Sequence, residues 1–355
     1  MEKRKNKIKL KDIAEIAGVS VGTVDRVIHA RKEVNEKTRE KVLSIINELG
    51  YKPNLQARSL ALKKTHHIIA LIPSGKQSDN SYWDLPKTGI EKAARELEDY
   101  FTDVEIRFFN SIEKESFTKQ AEAILKEKPD GVVFSPFFKQ PSLLFSKKLN
   151  DAGIPYIFID SNFKEANAIT YFGQDTFQSG FLSARMMSYG LNKNATVLIV
   201  NLTNTESIIS HLKLRQEGFL SAIKNDIKKL NTVTINIDLS NNNEPDATLS
   251  KVFEEKPQIK GVFVPNSRVH KVAKFLCNTD KCNILLVGYD LVEENIEYLK
   301  RGYIDFLICQ KPEEQGYKSV MALSKYILTK EEIPRVNYSQ IDIITKENLN
   351  YYNNI

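Results

Sequence analysis

At 355 residues the chain is too long for one compact core and should divide into two or three domains. A hydrophobic fraction of 41% with 27% charged residues is ordinary for a globular protein, and no stretch approaches the roughly 20 apolar residues of a membrane span. The net charge of +6 is unevenly spread: residues 1–65 hold 16 Lys and Arg against 8 Asp and Glu, and the rest of the chain holds 35 against 37. Such a basic N-terminal segment is either a solvated face or an electrostatic footprint for phosphates.

Residues 10–29 read as a helix, a tight turn and a second helix. Ile13, Ala14 and Ala17 recur at helical spacing on one face. Gly18 can take the left-handed conformation that ends a helix, and Ser20 is placed to cap the next one. Val24, Val27 and Ile28 form the second buried stripe, and Thr23 and Arg26 point away from it. This is the outline of a helix-turn-helix DNA reader. A third helix is expected from Glu36 to Leu49, capped by Asn35, striped by Val42, Ile45, Ile46 and Leu49, and stopped by Gly50. Residues 55–62 are too few for a helix stable alone in water, so a helix there must be held by something else.

From His66 onward strands and helices alternate. Strands are expected at Ile68–Ile72, Val104–Phe109, Gly131–Ser135, Tyr156–Asp160, Thr196–Val200, Val233–Ile237, Gly261–Val264, Ile284–Tyr289 and Phe306–Cys309. Their near-continuous apolar character implies burial on both faces, as in parallel sheets. Between them lie amphipathic stretches such as Lys87–Tyr100, Lys114–Lys126, Phe177–Tyr189, Leu212–Asn225 and Glu313–Leu328. The expected fold class is therefore an all-α helix-turn-helix domain followed by an α/β body of two doubly wound parallel-sheet lobes. The expected divisions are 1–50 for the DNA reader, 51–65 for a hinge helix or linker, and 66–355 for the body. Within the body one lobe takes about 66–172 and 308–335, and the other about 173–307 and 336–355.

Three cysteines, Cys277, Cys282 and Cys309, are too few for a disulfide framework, and without a matching second pair or histidines they argue against a zinc site. No metal and no cofactor are expected. With five histidines, no glycine-rich phosphate loop and no Gly-x-Ser-x-Gly elbow, the chain lacks the constellation of an enzyme. The basic N-terminus runs into the helical unit rather than an apolar signal core, which points to the cytoplasm and away from an exported binding protein. No membrane partner is expected.

The N-terminal stretch resembles the lactose-repressor (LacI/GalR) family of transcription factors. The matching residues are Asp12-Ile-Ala-Glu-Ile-Ala-Gly-Val-Ser20, Thr23-Val24, Arg26-Val27, Val34, Thr38-Arg39-Glu-Lys-Val42, Leu49-Gly50-Tyr51, Pro53-Asn54, Ala57 and Leu60-Ala61. The body resembles the periplasmic sugar-binding-protein fold of that family through Asp160, Gly173-Gln-Asp175, Gly218-Phe219, Asn266, Gly288-Tyr-Asp290, Gln310-Lys-Pro312 and Gln315-Gly316. The resemblance implies that Val21, Gly22 and Arg26 read base edges in the major groove, where Arg26 can bind guanine with two hydrogen bonds. It places Ser20, Thr23, His29, Asn35 and Thr38 near phosphates, although capping alone would account for Ser20 and Asn35. Asn54 and Ala57 join the DNA-binding positions, and Leu60 matches the leucine that wedges into the minor groove.

Ligands of doubly wound sheets bind beyond the carboxyl ends of the strands. Asp160, Asn266, Asp290 and Gln310 all follow strand ends, as a polyol pocket requires, although Asp290 could instead be a helix cap. Tyr82 and Trp83 follow the first strand where related sugar binders place aromatics; the alternative for Trp83 is packing. Related binders also carry an arginine ahead of the Gly-Phe pair, and that position is read here as Lys213, with Arg215 two residues on. The resemblance implies a sugar-controlled regulator, acting as a repressor on a pseudo-palindromic double-stranded operator, and a homodimer. Alternatives for the effector are a sugar phosphate, a sugar acid, a purine or a protein corepressor.

Overall fold

The computed structural model describes residues 8–28, 34–49, 64–75, 81–203, 210–225, 229–239 and 245–352. The N-terminal unit is three helices, α1 (Leu10–Ala17), α2 (Val21–Ile28) and α3 (Glu36–Leu49). Gly18 ends α1 at φ 67°, a left-handed conformation that glycine adopts without a Cβ clash. Ser20 then caps α2, its Oγ accepting the Thr23 N–H at 3.1 Å. Ile13, Ala14, Ala17, Val24, Val27, Val42 and Ile45 close a small core, with Ile28, Ile46 and Leu49 half-buried at its margin.

The body has two sheets. The first contains β1 (His66–Pro73), β2 (Thr102–Phe109), β3 (Gly131–Phe134), β4 (Tyr156–Ile159), β5 (Thr170–Gly173) and β11 (Val336–Tyr338), in the order β11-β5-β4-β3-β1-β2. The second contains β6 (Thr196–Thr203), β7 (Asn231–Asp238), β8 (Ile259–Phe263), β9 (Leu285–Tyr289), β10 (Phe306–Cys309) and β12 (Asp342–Ile344), in the order β12-β10-β9-β8-β6-β7. Every pairing is parallel except β10 with β12. The helices are α4 (Asp84–Leu97), α5 (Lys114–Glu127), α6 (Lys139–Asp151), α7 (Thr176–Gly190), α8 (Ser210–Lys224), α9 (Asp246–Glu255), α10 (Val269–Asn278), α11 (Glu293–Lys300) and α12 (Pro312–Thr329). They cover both faces of each sheet, so each sheet is flanked by two apolar clusters.

All nine expected strands are present, but two expectations change. The Val104–Phe109 and Val233–Ile237 segments are not buried on both faces: β2 and β7 lie at sheet edges, and Val104, Ile106, Val233 and Ile235 are only partly covered. The lobes also divide slightly differently from the expected boundaries at 308 and 336. β10 belongs to the second sheet through its pairing with β9, and β11 belongs to the first through Val336↔Tyr171. The chain therefore crosses between sheets after Gly173, after Cys309 and after Tyr338. β5, β11 and β12 are missing from the expected strands; β11 and β12, at three residues each, are too short to carry a pattern, whereas β5 is as long as β3 and β4.

Paired glycines let helices approach closely in each lobe. An ideal Cβ on Gly180 of α7 would lie 1.9 Å from the Arg215 carbonyl oxygen, and one on Gly218 of α8 would lie 2.0 Å from that of Phe177. In the other lobe, a Cβ on Gly89 of α4 would meet the Glu313 oxygen at 1.9 Å, and one on Gly316 of α12 would meet that of Pro86 at 2.2 Å. These contacts explain why Gly218-Phe219 and Gln315-Gly316 stand out in the sequence. The three crossovers are tied together as well: Gln174 Nε2 donates to the carbonyls of Cys309 at 3.0 Å and Gln340 at 3.4 Å.

Candidate functional site

Two surfaces concentrate functional side chains. The first is the outer face of α2. Its buried face takes Val24 and Val27, which leaves Val21, Gly22 and Arg26 exposed on the other side; Val21 is 43% exposed. Ser20 and Thr23 hydroxyls lie 2.9 Å apart, and Asn35 Oδ1 accepts the Lys37 N–H at 2.9 Å. Capping thus occupies Ser20 and Asn35 in the free protein. Thr38 is half-buried on α3. His29, Asn54, Ala57 and Leu60, together with the hinge segment 55–62, lie outside the described residues.

The second surface is a cleft between the two sheets, bordered by Tyr82, Trp83, Asp160, Arg215, Asn266, Asp290 and Gln310. Asp160 follows β4 and Asp290 follows β9, both in the left-handed region at φ 66° and 68°. Aspartate tolerates this conformation better than most side chains. Parallel neighbours β9 and β10 end side by side, so Gln310 reaches across and its Nε2 donates to Asp290 Oδ2 at 2.8 Å. Among the described residues Asp290 Oδ1, which is buried, has no hydrogen-bond partner. Burial pushes the Asp290 carboxyl up to about 7, against the opposing pull of Arg215 and Gln310. Asp290 is not a helix cap, since α11 starts at Glu293 behind Val292.

On the first lobe's side, a short 3-10 turn, Ser81–Trp83, carries both aromatics. The Tyr82 hydroxyl donates to Asp160 Oδ1 at 2.8 Å, and Ser161 Oγ donates to Oδ2 at 3.0 Å. Burial, reinforced by the negative potential of Asp160 and Asp290, holds the Tyr82 phenol well above its ordinary range and keeps it a neutral donor. Trp83 packs edge-on to Tyr82 at 5.1 Å and Phe137 at 6.5 Å, so it belongs to the first lobe's core while bordering the cleft. Asn266 lines the cleft, yet its Nδ2 donates to the Leu202 carbonyl at 2.7 Å and its Oδ1 accepts the Arg268 N–H at 3.1 Å. Its carboxamide therefore also fixes the loop after β8.

Lys213 is not in the cleft. Its side chain is 72% exposed and pairs weakly with Glu217 at 4.0 Å. The cleft-facing cation of α8 is Arg215, only 3% exposed. Two residues along a helix is about 200° of rotation, so the two side chains point to opposite faces. Leu212, Arg215, Phe219 and Ala222 make the buried row, and this periodicity was the signal in the sequence that could have selected Arg215. The Arg215 guanidinium donates through Nη1 to the Pro265 carbonyl at 2.8 Å and lies 3.8 Å over the Tyr289 ring. Its Nε has no hydrogen-bond partner among the described residues.

Sequence reasoning also missed His211, Ser267 and Arg268, which border the same cleft. Desolvation pushes the His211 imidazole down to about 4, and Arg215 and Arg268 add to the shift against Asp160. The cleft can therefore offer neutral donors, guanidinium groups and carboxylate acceptors, the set a polyhydroxylated ligand requires. Among the described residues no three His, Cys, Asp or Glu side chains gather to hold a metal ion, and no helix is long and apolar enough to cross a membrane.

Two family models match the chain. Residues 69–331 match a periplasmic binding protein domain, and residues 9–54 match the bacterial regulatory proteins of the lacI family. Among curated proteins, the transcriptional regulator RegA of Clostridium saccharobutylicum is 36% identical over 160 residues, 44% of each chain. That alignment spans less than half of the relative's own length. Among solved structures, a putative LacI transcriptional regulator from Bacteroides fragilis is 31% identical with a TM-score of 0.73, covering 81% of this chain and 100% of that one. A glucose-galactose binding protein from Geobacillus stearothermophilus shares the fold at 24% identity and a TM-score of 0.71, covering 81% of this chain and 99% of that one.

Proposed function

The chain belongs to the lacI family of bacterial regulatory proteins, with a periplasmic binding protein domain as its body, and from that premise we propose that it is a sugar-responsive transcriptional repressor. The reading is carried by one combination in a single chain. An exposed helix face bearing Val21, Gly22 and Arg26 precedes a cleft in which Asp290 Oδ1 and Arg215 Nε are buried without partners among the described residues.

In this reading α2 enters the major groove and Arg26 contacts a base edge. A homodimer presents two copies to the half-sites of a pseudo-palindromic operator. Residues 55–62 fold as hinge helices against the DNA, and Leu60 wedges into the minor groove. A sugar in the cleft binds groups from both lobes and draws them together about the crossovers near Gln174, Gln310 and Gln340. Closure changes the spacing of the hinges and weakens operator binding. Operator and sugar must then alter each other's affinity by the same factor.

The test is selection of operators from a random duplex pool with the full chain, followed by anisotropy titrations with and without sugars. An enriched two-fold symmetric site, released by a sugar, is the expected result. Failure to enrich any sequence would remove the DNA-binding reading. Enrichment without a response to any sugar would remove the effector reading and keep the first.

A further inference from the structure

We propose that Cys277 and Cys282 are a reversible oxidation site on the second lobe: Cys277 reacts with a hydroperoxide, and Cys282 closes a disulfide onto it.

Cys277 lies in the last turn of α10 and Cys282 in the loop that follows. Both are free thiols, Cys277 half-buried and Cys282 exposed. The loop turns back on the helix. Asp280 takes the left-handed conformation at φ 52°, the Lys281 N–H donates to the Leu276 carbonyl at 2.9 Å, and the Asp280 N–H donates to that of Cys277 at 3.3 Å. This closure reverses the chain at a helix end, and it brings Cys282 back toward the turn that carries Cys277. The Tyr303 side chain lies beside both. Its phenol is pushed up to about 12, first by its contact with Cys277 and then by that with Cys282, so one hydroxyl faces both thiols. The pair is set apart from the effector cleft. Arg268 stands at the cleft end of α10, and the ten residues of that helix put its other end about 15 Å away.

Arg301, just after α11, gives Cys277 a cationic neighbour. Its Nη2 donates to Cys277 Sγ at 2.8 Å, its Nη1 donates to Glu297 Oε1 at 3.1 Å, and its guanidinium lies over the Tyr298 and Tyr303 rings. Cysteines that react with oxidants are partly exposed and sit beside a cation. Cys277 meets both conditions, whereas Cys309 is buried. Cys282 has a carboxylate neighbour instead, its thiol donating to Asp280 Oδ1 at 3.4 Å. That arrangement suits the second step, in which Cys282 must give up its proton. In the first step the Cys277 sulfur attacks one oxygen of hydrogen peroxide, the O–O bond breaks, and a sulfenic acid and water form. Next the Cys282 sulfur attacks that of Cys277, the S–O bond breaks, and a second water leaves as the S–S bond forms. Together the thiols lose two electrons and two protons, which the peroxide takes up.

The experiment is titration of the reduced full chain with hydrogen peroxide, read by differential alkylation and peptide mass spectrometry. A disulfide joining Cys277 and Cys282 within one chain should form while Cys309 stays a thiol, and a dithiol reductant should restore both cysteines. Cys282→Ser should abolish the disulfide and let dimedone trap Cys277 as the sulfenic acid. Arg301→Gln should slow the first step by about two- to fivefold, the range of an exposed ion pair. Both thiols intact at peroxide concentrations that oxidise glutathione would overturn the proposal. Disulfides formed only between copies of the chain, or each cysteine oxidised separately to a sulfinic acid, would overturn it as well. An unchanged rate in Arg301→Gln would overturn the part given to Arg301.

Discussion

Gln310 and Asp290 stand at the tips of adjacent parallel strands, and the Gln310 amide donates to one oxygen of the buried Asp290 carboxyl group at 2.8 Å, while the other has no partner among the described residues. The pair aims the carboxyl group before any ligand arrives, so ligand hydroxyls meet a group already held in place. Asp290→Asn should weaken effector binding by about 10- to 100-fold, the value of hydrogen bonds to a charged partner.

The same carboxyl gives the cleft a pH response. Its pKa is raised to about 7 by burial, so the neutral acid is favoured in the fold. Stability of the free protein from this group is full below the ordinary carboxylate range and is lost as the pH rises through about 7. A ligand that donates to the ionised form binds more tightly as the pH rises through the same window and releases a proton as it binds. Calorimetry from pH 6 to 8 in buffers of different ionisation heat should detect both effects, and both should vanish in Asp290→Asn.

Arg215 and Lys213 separate a site residue from its sequence neighbour. Arg215→Lys keeps the charge but loses the planar fork and the stacking on Tyr289, and should lower effector affinity by about tenfold or more. Lys213→Ala, on the opposite face of α8, should leave affinity unchanged. An effect of Lys213→Ala as large as that of Arg215→Lys would contradict the placement of the two side chains.

Gly218→Ala tests the close packing of α7 and α8. The new methyl would sit 2.0 Å from the Phe177 carbonyl oxygen, so the helices must separate. Overpacking of this kind costs about 1–3 kcal/mol, and the second lobe should melt several degrees lower in calorimetry. Gly302→Asn, with nothing near its Cβ position and a positive φ that asparagine tolerates, should change the melting temperature little.

Arg26 lies exposed on α2 and takes no part in the small N-terminal core. Arg26→Ala should reduce affinity for the selected operator by about 1–3 kcal/mol and relax base preference at one position of each half-site. Effector binding and thermal stability of the body should stay as in the unaltered chain. Uniform weakening across all DNA sequences would instead assign Arg26 to phosphate.

Much was determined by the sequence alone. Local patterns specified the three N-terminal helices, because Gly18, Ser20 and Asn35 act within a turn of where they stand. Runs of β-branched and aromatic residues specified the nine expected strands, and the rule that ligands lie beyond strand ends brought Asp160, Asp290 and Gln310 to the cleft. Tertiary structure decided what depends on partners distant in the chain. β5 is held between β4 and β11, and β11 by its pairing with β5 across a long stretch of chain, and the lobe boundaries shift with them. Which cation of α8 faces the cleft depends on which side of the helix α7 covers, and that made Arg215 the site residue and Lys213 a solvent-exposed one. The state of His211 and of Asp290 is likewise a property of enclosure: desolvation sets most of it, and side chains from distant parts of the chain, with Arg215 one turn from His211, add to it.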